Sequence, residues 1–187
     1  MKRREFLSFS LLSVMTLKVT NADMSPGVAG ARAEILPFDI TNQALDFNKL
    51  LSFLNTLPVE RLVTEGEWDL AQIFNHAAQS IEYSMDGYPQ QKSELFKQTL
   101  GPLAFQAFAV WGKMTHTLSE NILGAPPVLA AQQPRQALLR LEQSITRFDQ
   151  HLDTLQPHFA YGKLSKQEYA LAHVLHLNNH FEEIRLA

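Results

Sequence analysis

The sequence predicts an all-α fold, an up-down bundle of four main helices with extra helical segments in the connections. Three observations lead there. Apolar residues recur at threes and fours in successive stretches from residue 41 onward. Pro and Gly punctuate those stretches where helices should stop. No strand alternation and no internal repeat competes with the helical period.

The first helix is expected over 45–57, where Leu45, Phe47, Leu50, Leu51, Leu54 and Leu57 make the apolar face and Pro58 ends it. The second should start near Trp68 and run through EWDLAQIFNHAAQSIEYSM to a stop at Gly87 and Pro89. A third is expected from Glu94 to Met114, broken or kinked at Gly101-Pro102. In it Trp111, Phe105 and Phe108 read as core aromatics. GAPPVLAAQQP reads as loop. The next helix, PRQALLRLEQSITRFDQHLDTL, carries Leu138, Leu141, Ile145, Phe148, Leu152 and Leu155 as a continuous bundle seam. The last has the clearest start: Ser165-Lys-Gln-Glu168 is a capping box, in which hydroxyl and carboxylate each satisfy a free helix-end N–H.

The chain of 187 residues suits one domain, and 45% hydrophobic with 19% charged residues is enough apolar material for one core. With no cysteine, disulfides, thiolate metal sites and thiol nucleophiles are excluded. A net charge of -3 gives no reason to expect a nucleic-acid partner. Nor is there an H-E-x-x-H, an E-x-x-H pair, a P-loop or a G-x-G-x-x-G.

Charge is unevenly spread. Residues 1–33 hold five Lys/Arg against two acids, and the remainder holds eleven against seventeen. MKRREFLSFSLLSVMTLKV joins a basic start to an apolar run too short and too polar for a membrane span. Ala31-Arg32-Ala33 suits signal-peptidase cleavage. KRREFL resembles the twin-arginine export motif, with Arg3 and Arg4 as the pair and Lys2 where Ser or Thr is usual. Residues 1–33 are therefore expected to be a twin-arginine-type signal peptide. Residues 34–187 would be the mature helical domain, periplasmic, meeting the membrane only through the signal segment.

Three of the seven histidines fall within eight residues, in HVLHLNNHFEEI. At about 100° per residue, His173, His176, His180, Tyr169 and Glu183 share one stripe roughly 80° wide beside the apolar face. A lone histidine there would be a core group with one backbone partner. Three are harder to satisfy together. His176 and His180 lie one turn apart and can reach a single ion. A third ligand should come from another helix, and His76 is the candidate. His116 and His151 read as surface groups, Ser80 and Ser84 as helix-packing residues.

Trp68 followed by DLAQIFNHAAQS, and later HLNNHFEEI, resembles the DinB/YfiT-like superfamily of helical metal proteins. The stretch from His158 to Gly162 and Ser165, followed by the histidine helix, is similar to its branch catalogued as domain of unknown function 1569. The resemblance implies a DinB-like bundle in which His76, His176 and His180 hold a divalent metal: Zn, Ni, Fe or Mn. The sequence departs from the branch at Asn179, where a second histidine is usual, and at Glu183, where Gln is usual. The resemblance also implies thiol-dependent transfer. The metal would activate a thiol or water, with Glu183 or Tyr169 positioning it and His173 packed or supporting the site.

The expected function is thus an exported metalloprotein acting as a transferase or hydrolase on a small molecule, a thiol being one candidate. The alternative is a non-catalytic helical binding module in the periplasm with a structural or vestigial metal site. The superfamily often dimerises, so a homodimer is open.

Overall fold

The computed structural model describes residues 47–130 and 133–187. The expected signal segment and the start of the first helix lie outside the described residues. Six α-helices and one small two-stranded sheet make up the described fold, which is mostly helical. No helix among the described residues is long and apolar enough to cross a membrane.

Helix α1 (Phe47–Asn55) buries Leu50 and Leu54 one turn apart. A single 3-10 turn (Val59–Arg61) follows Pro58 and leads into strand β1 (Leu62–Thr64). Helix α2 (Leu70–Asp86) is capped by Asp69, so its first residue lies two past the expected start near Trp68. Asp69 Oδ1 accepts the Gln72 N–H at 2.8 Å, and Gln72 Oε1 accepts the Asp69 N–H at 3.0 Å. This second capping box fixes the register of everything α2 carries. Gly87, at φ 102°, ends the helix by donating its N–H to Tyr83.

The expected third helix is two helices, α3 (Glu94–Gln98) and α4 (Leu100–Trp111). The break falls at Thr99, ahead of Gly101-Pro102. Pro102 thus sits in the first turn of α4, where its missing N–H has no intrahelical partner to lose. Phe105 is buried, as expected of a core aromatic, but Trp111 is 74% exposed. It caps the last turn of α4 before Gly112, a left-handed residue.

Helix α5 (Pro134–Gln150) runs along α2. Leu138, Leu141, Ile145 and Phe148 are fully buried, so four of the six seam positions hold. Leu152 does not: it is 96% exposed, because α5 stops at Gln150. Lys166 Nζ donates to the carbonyls of Asp149 and His151 at 2.6 and 3.0 Å, serving acceptors that the ended helix leaves without N–H partners. On the outer side, Arg140 bridges α5 to Glu82 and Asn75 of α2, and Ser144 donates to Glu82.

Helix α6 (Lys166–Phe181) starts with the expected Ser165/Glu168 capping box. Strand β2 (Ile184–Leu186) then pairs antiparallel with β1, Leu62 opposite Leu186 and Thr64 opposite Ile184. The sequence suggested no strand, and three residues are too few to show an alternation. This ribbon ties the end of α6 to the segment just before Trp68, so the two ends of the site described next are held together.

Candidate metal centre

His76 sits in the second turn of α2 and is 3% exposed. His176 and His180 lie one turn apart on α6, and His180 is fully buried. The two helices bring the three rings to one point. His176 Nε2 lies 3.0 Å from His76 Nε2 and 3.2 Å from His180 Nε2. Trp68, one residue ahead of the α2 cap, forms the wall behind two of them. Its ring meets His76 edge-on at 4.9 Å between centroids and stacks on His180 at 6.0 Å and 9°.

A fourth histidine joins them. His116 lies in the irregular segment after α4, with its ring 4.8 Å from that of His176 and 5.1 Å from that of His180. One ring nitrogen from each of the four falls within 4.8 Å of the others. The expectation of a surface His116 is therefore corrected. Its backbone N–H is held by Asn179 Oδ1 at 3.1 Å. No periodicity pointed to it, because its position depends on a loop and on that one cross-link.

The electrostatics keep all four imidazoles neutral. Burial lowers the His76 pKa to about 3, with repulsion from His116 adding to it. Burial likewise takes His180 to about 2, assisted by His76 and His116. His176 is lowered well below the usual histidine range by burial first, then by its histidine neighbours. For His116 burial also lowers the pKa, opposed by the nearby Asn179 side chain and the Glu120 charge. A neutral imidazole is the form that ligates metal.

The hydrogen bonding of these rings does not close on itself. His176 Nε2 carries either one proton or one lone pair, so it satisfies one of its two close neighbours. His76 Nδ1, His180 Nδ1 and both nitrogens of His116 are buried without a hydrogen-bond partner. Each such orphan costs about 1–3 kcal/mol. One cation would take up the converging Nε2 lone pairs, while the Nδ1 atoms of His76 and His180, on the far edges of their rings, face away from it. Metal–nitrogen bonds of ~2.1 Å subtend N···N edges of ~3.0 Å at a right angle and ~3.4 Å in a tetrahedron. The observed 3.0 and 3.2 Å separations fit that scale. The residues present therefore suit a divalent ion.

The other expected site residues are placed differently. Tyr169 is fully buried and donates its hydroxyl to the Gln156 carbonyl at 2.6 Å, and its ring stacks on His173 at 5.5 Å. His173 is 5% exposed and wedged between Tyr169 and Phe148. Glu183 does not join the histidines. Its carboxylate lies against Gly66, so closely that a Cβ there would collide with it. Burial raises its pKa and the negative charge of Glu67 adds to the rise. His151 stays at the end of α5. Ser84, as expected, is a packing residue, its hydroxyl bonded to the Ile81 carbonyl.

A cavity of about 230 Å³ opens from the histidine cluster. His76, His116 and His176 form part of its lining, and His158, Tyr161 and His173 another part. His158 shapes that wall. Its Nδ1 accepts the N–H groups of Ala160 and Tyr161 at 3.2 and 3.1 Å, and its ring stacks on Tyr161 at 4.2 Å. Gly162, at φ 77°, closes the turn and bridges back to His158.

A model of the family described as protein of unknown function (DUF1569) matches residues 39–186. No curated protein and no solved structure matches the chain.

Proposed function

The chain belongs to the DUF1569 family of proteins of unknown function, and on that premise we propose that it is a metalloprotein whose His76, His176 and His180 hold one divalent cation. The observation that carries the reading is the convergence of three neutral Nε2 atoms at 3.0 and 3.2 Å, with the unpartnered His116 ring beside them. An all-nitrogen donor set suits Zn, Ni or Fe better than a hard, oxygen-seeking ion, and Mn remains within the set. When bound, such an ion supplies Lewis-acid polarisation of an oxygen or sulfur donor.

The chain's own residues define what could use that chemistry. Trp68 shields the cluster on one side, so access comes from the 230 Å³ cavity. That volume suits a small molecule and is below the usual range for drug-sized ligands. The wall built by His158 and Tyr161 offers a flat aromatic surface, and His173 Nε2, buried without a partner, offers one hydrogen bond. We therefore place the protein among metal-dependent transferases or hydrolases of small substrates, a thiol being one candidate. With Glu183 turned to Gly66, the candidates for a general base along the cavity are its histidines and Glu120.

A second reading has its own support. His116 supplies a fourth nitrogen, and a set of four protein ligands is the mark of a structural site. A non-catalytic binding module with a structural metal fits that set, its place in the periplasm resting on the export signal alone. Assays of thiol transfer and ester hydrolysis on the metal-loaded protein, beside its His76→Ala variant, separate the two. Turnover lost in the variant supports the enzyme, and no turnover above the variant with any loaded metal supports the module.

The packing of α1 on α5, α5 on α2 and α2 on α6 supports the DinB-like four-helix arrangement. Export by the twin-arginine route rests on Arg3, Arg4 and the Ala31-Arg32-Ala33 site. Cell fractionation with an Arg3→Lys/Arg4→Lys variant tests it: the pair should abolish periplasmic accumulation. Dimer formation is part of the same proposal, and sedimentation measures it.

A further inference from the structure

Three of the clustered histidines stand on helices whose registers are fixed by capping boxes, at Asp69 for α2 and at Ser165 for α6. The fourth does not. His116 lies four residues past Gly112, in a stretch without regular structure. Both its ring nitrogens are buried and without a partner. Its ring faces two ways: it stands against His176 and His180, and it also lines the cavity. What anchors it to the site is a single polar link, the Asn179 side chain holding its backbone N–H. Asn179 is 6% exposed and immediately precedes His180, so the link is built into the ligand helix itself.

From this we propose that His116 is a displaceable fourth donor, clipped in place by Asn179, and that a small ligand reaches the centre by taking its position. The inference rests on the metal reading above and says how that site is regulated. With His116 engaged, the centre is closed by four nitrogens. When a ligand with one nitrogen, sulfur or oxygen donor enters the cavity, one donor leaves and one arrives. No electrons move, and a protic donor gives up its proton to solvent. Asn179 is then a positioning residue: it sets how often the ring is in place without touching the ion.

Cobalt(II) is the probe, because its visible absorption is strong in four-coordinate sites and weak where waters raise the coordination number. Each protein is loaded with cobalt alone, the spectrum is recorded, and imidazole is titrated in. Wild type should show the strong spectrum and bind imidazole poorly. His116→Ala should keep one cobalt per chain, show the weak spectrum, regain the strong one on adding imidazole, and bind imidazole at least tenfold more tightly. Asn179→Ala, with the ring chemically intact, should keep its cobalt and bind imidazole at an intermediate strength. The proposal is overturned if His116→Ala matches wild type in both spectrum and imidazole affinity. Should that variant fail to fold, unchanged imidazole affinity in Asn179→Ala overturns it instead. Failure of the metal reading looks different: wild type itself would take up no cobalt.

Discussion

His76 and His176, a hundred residues apart in the chain, place their Nε2 atoms 3.0 Å from one another in the interior. Burial holds both rings neutral, and His76 Nδ1 has no hydrogen-bond partner. An ion between them gives the contact a cause. Three expectations follow from the surrounding structure.

Acid should destabilise the fold through its buried histidines. Free imidazoles protonate near pH 6.5, whereas burial lowers His158 and His173 to about 3. Between those limits the unfolded chain binds protons that the folded one refuses, so stability is full above about 6.5 and falls as the pH drops towards 3. Near pH 5 each such group costs about 2 kcal/mol. Urea unfolding across this range should show the loss, and His173→Leu should flatten the slope by one proton while keeping neutral-pH stability, since its Nε2 has no partner to lose. An unchanged slope would contradict this account of His173.

His158 is expected to be structural. Its Nδ1 accepts two backbone N–H groups, and His158→Ala would strand both. The loss should be about 2–4 kcal/mol in chemical denaturation, with metal content retained. Loss of metal together with full stability would show that His158 acts on the ion instead.

Gly101 is where α4 comes closest to the His158–Gly162 turn. A Cβ at Gly101 would run into the Ala160 carbonyl oxygen, which belongs to backbone and cannot swing aside. Gly101→Ala should therefore lower the melting temperature markedly, although alanine is the better helix former by about 1 kcal/mol. Gly66→Ala, by contrast, meets only the flexible end of Glu183 and should be mild. Equal effects at the two positions would contradict the packing described.

Much of the fold was legible because local chemistry and tertiary packing agree. The Ser165 capping box, the Pro58 stop and the seam from Leu138 to Phe148 are local patterns that the structure repeats. The pairing of His176 with His180 followed from helical spacing, and their meeting with His76 from the apolar border of α2. What was not legible depends on contacts between distant parts. His116 enters the cluster from a loop held by Asn179. The end of α5 is capped by Lys166, which belongs to the next helix, and Leu152, past that end, falls outside the core. Glu183 shares the histidine stripe by angle. It lies past the last residue of α6, though, where the chain turns into β2 and carries its carboxylate to Gly66.

The central claim is tested most directly by elemental mass spectrometry of the purified protein beside His76→Ala, His176→Ala, His180→Ala and His151→Ala. The account predicts close to one divalent metal per chain in wild type and in His151→Ala, and loss of that metal in each of the other three. Wild type without metal after incubation with Zn, Ni, Mn or Fe(II), or variants at the three positions that keep it, would contradict the account.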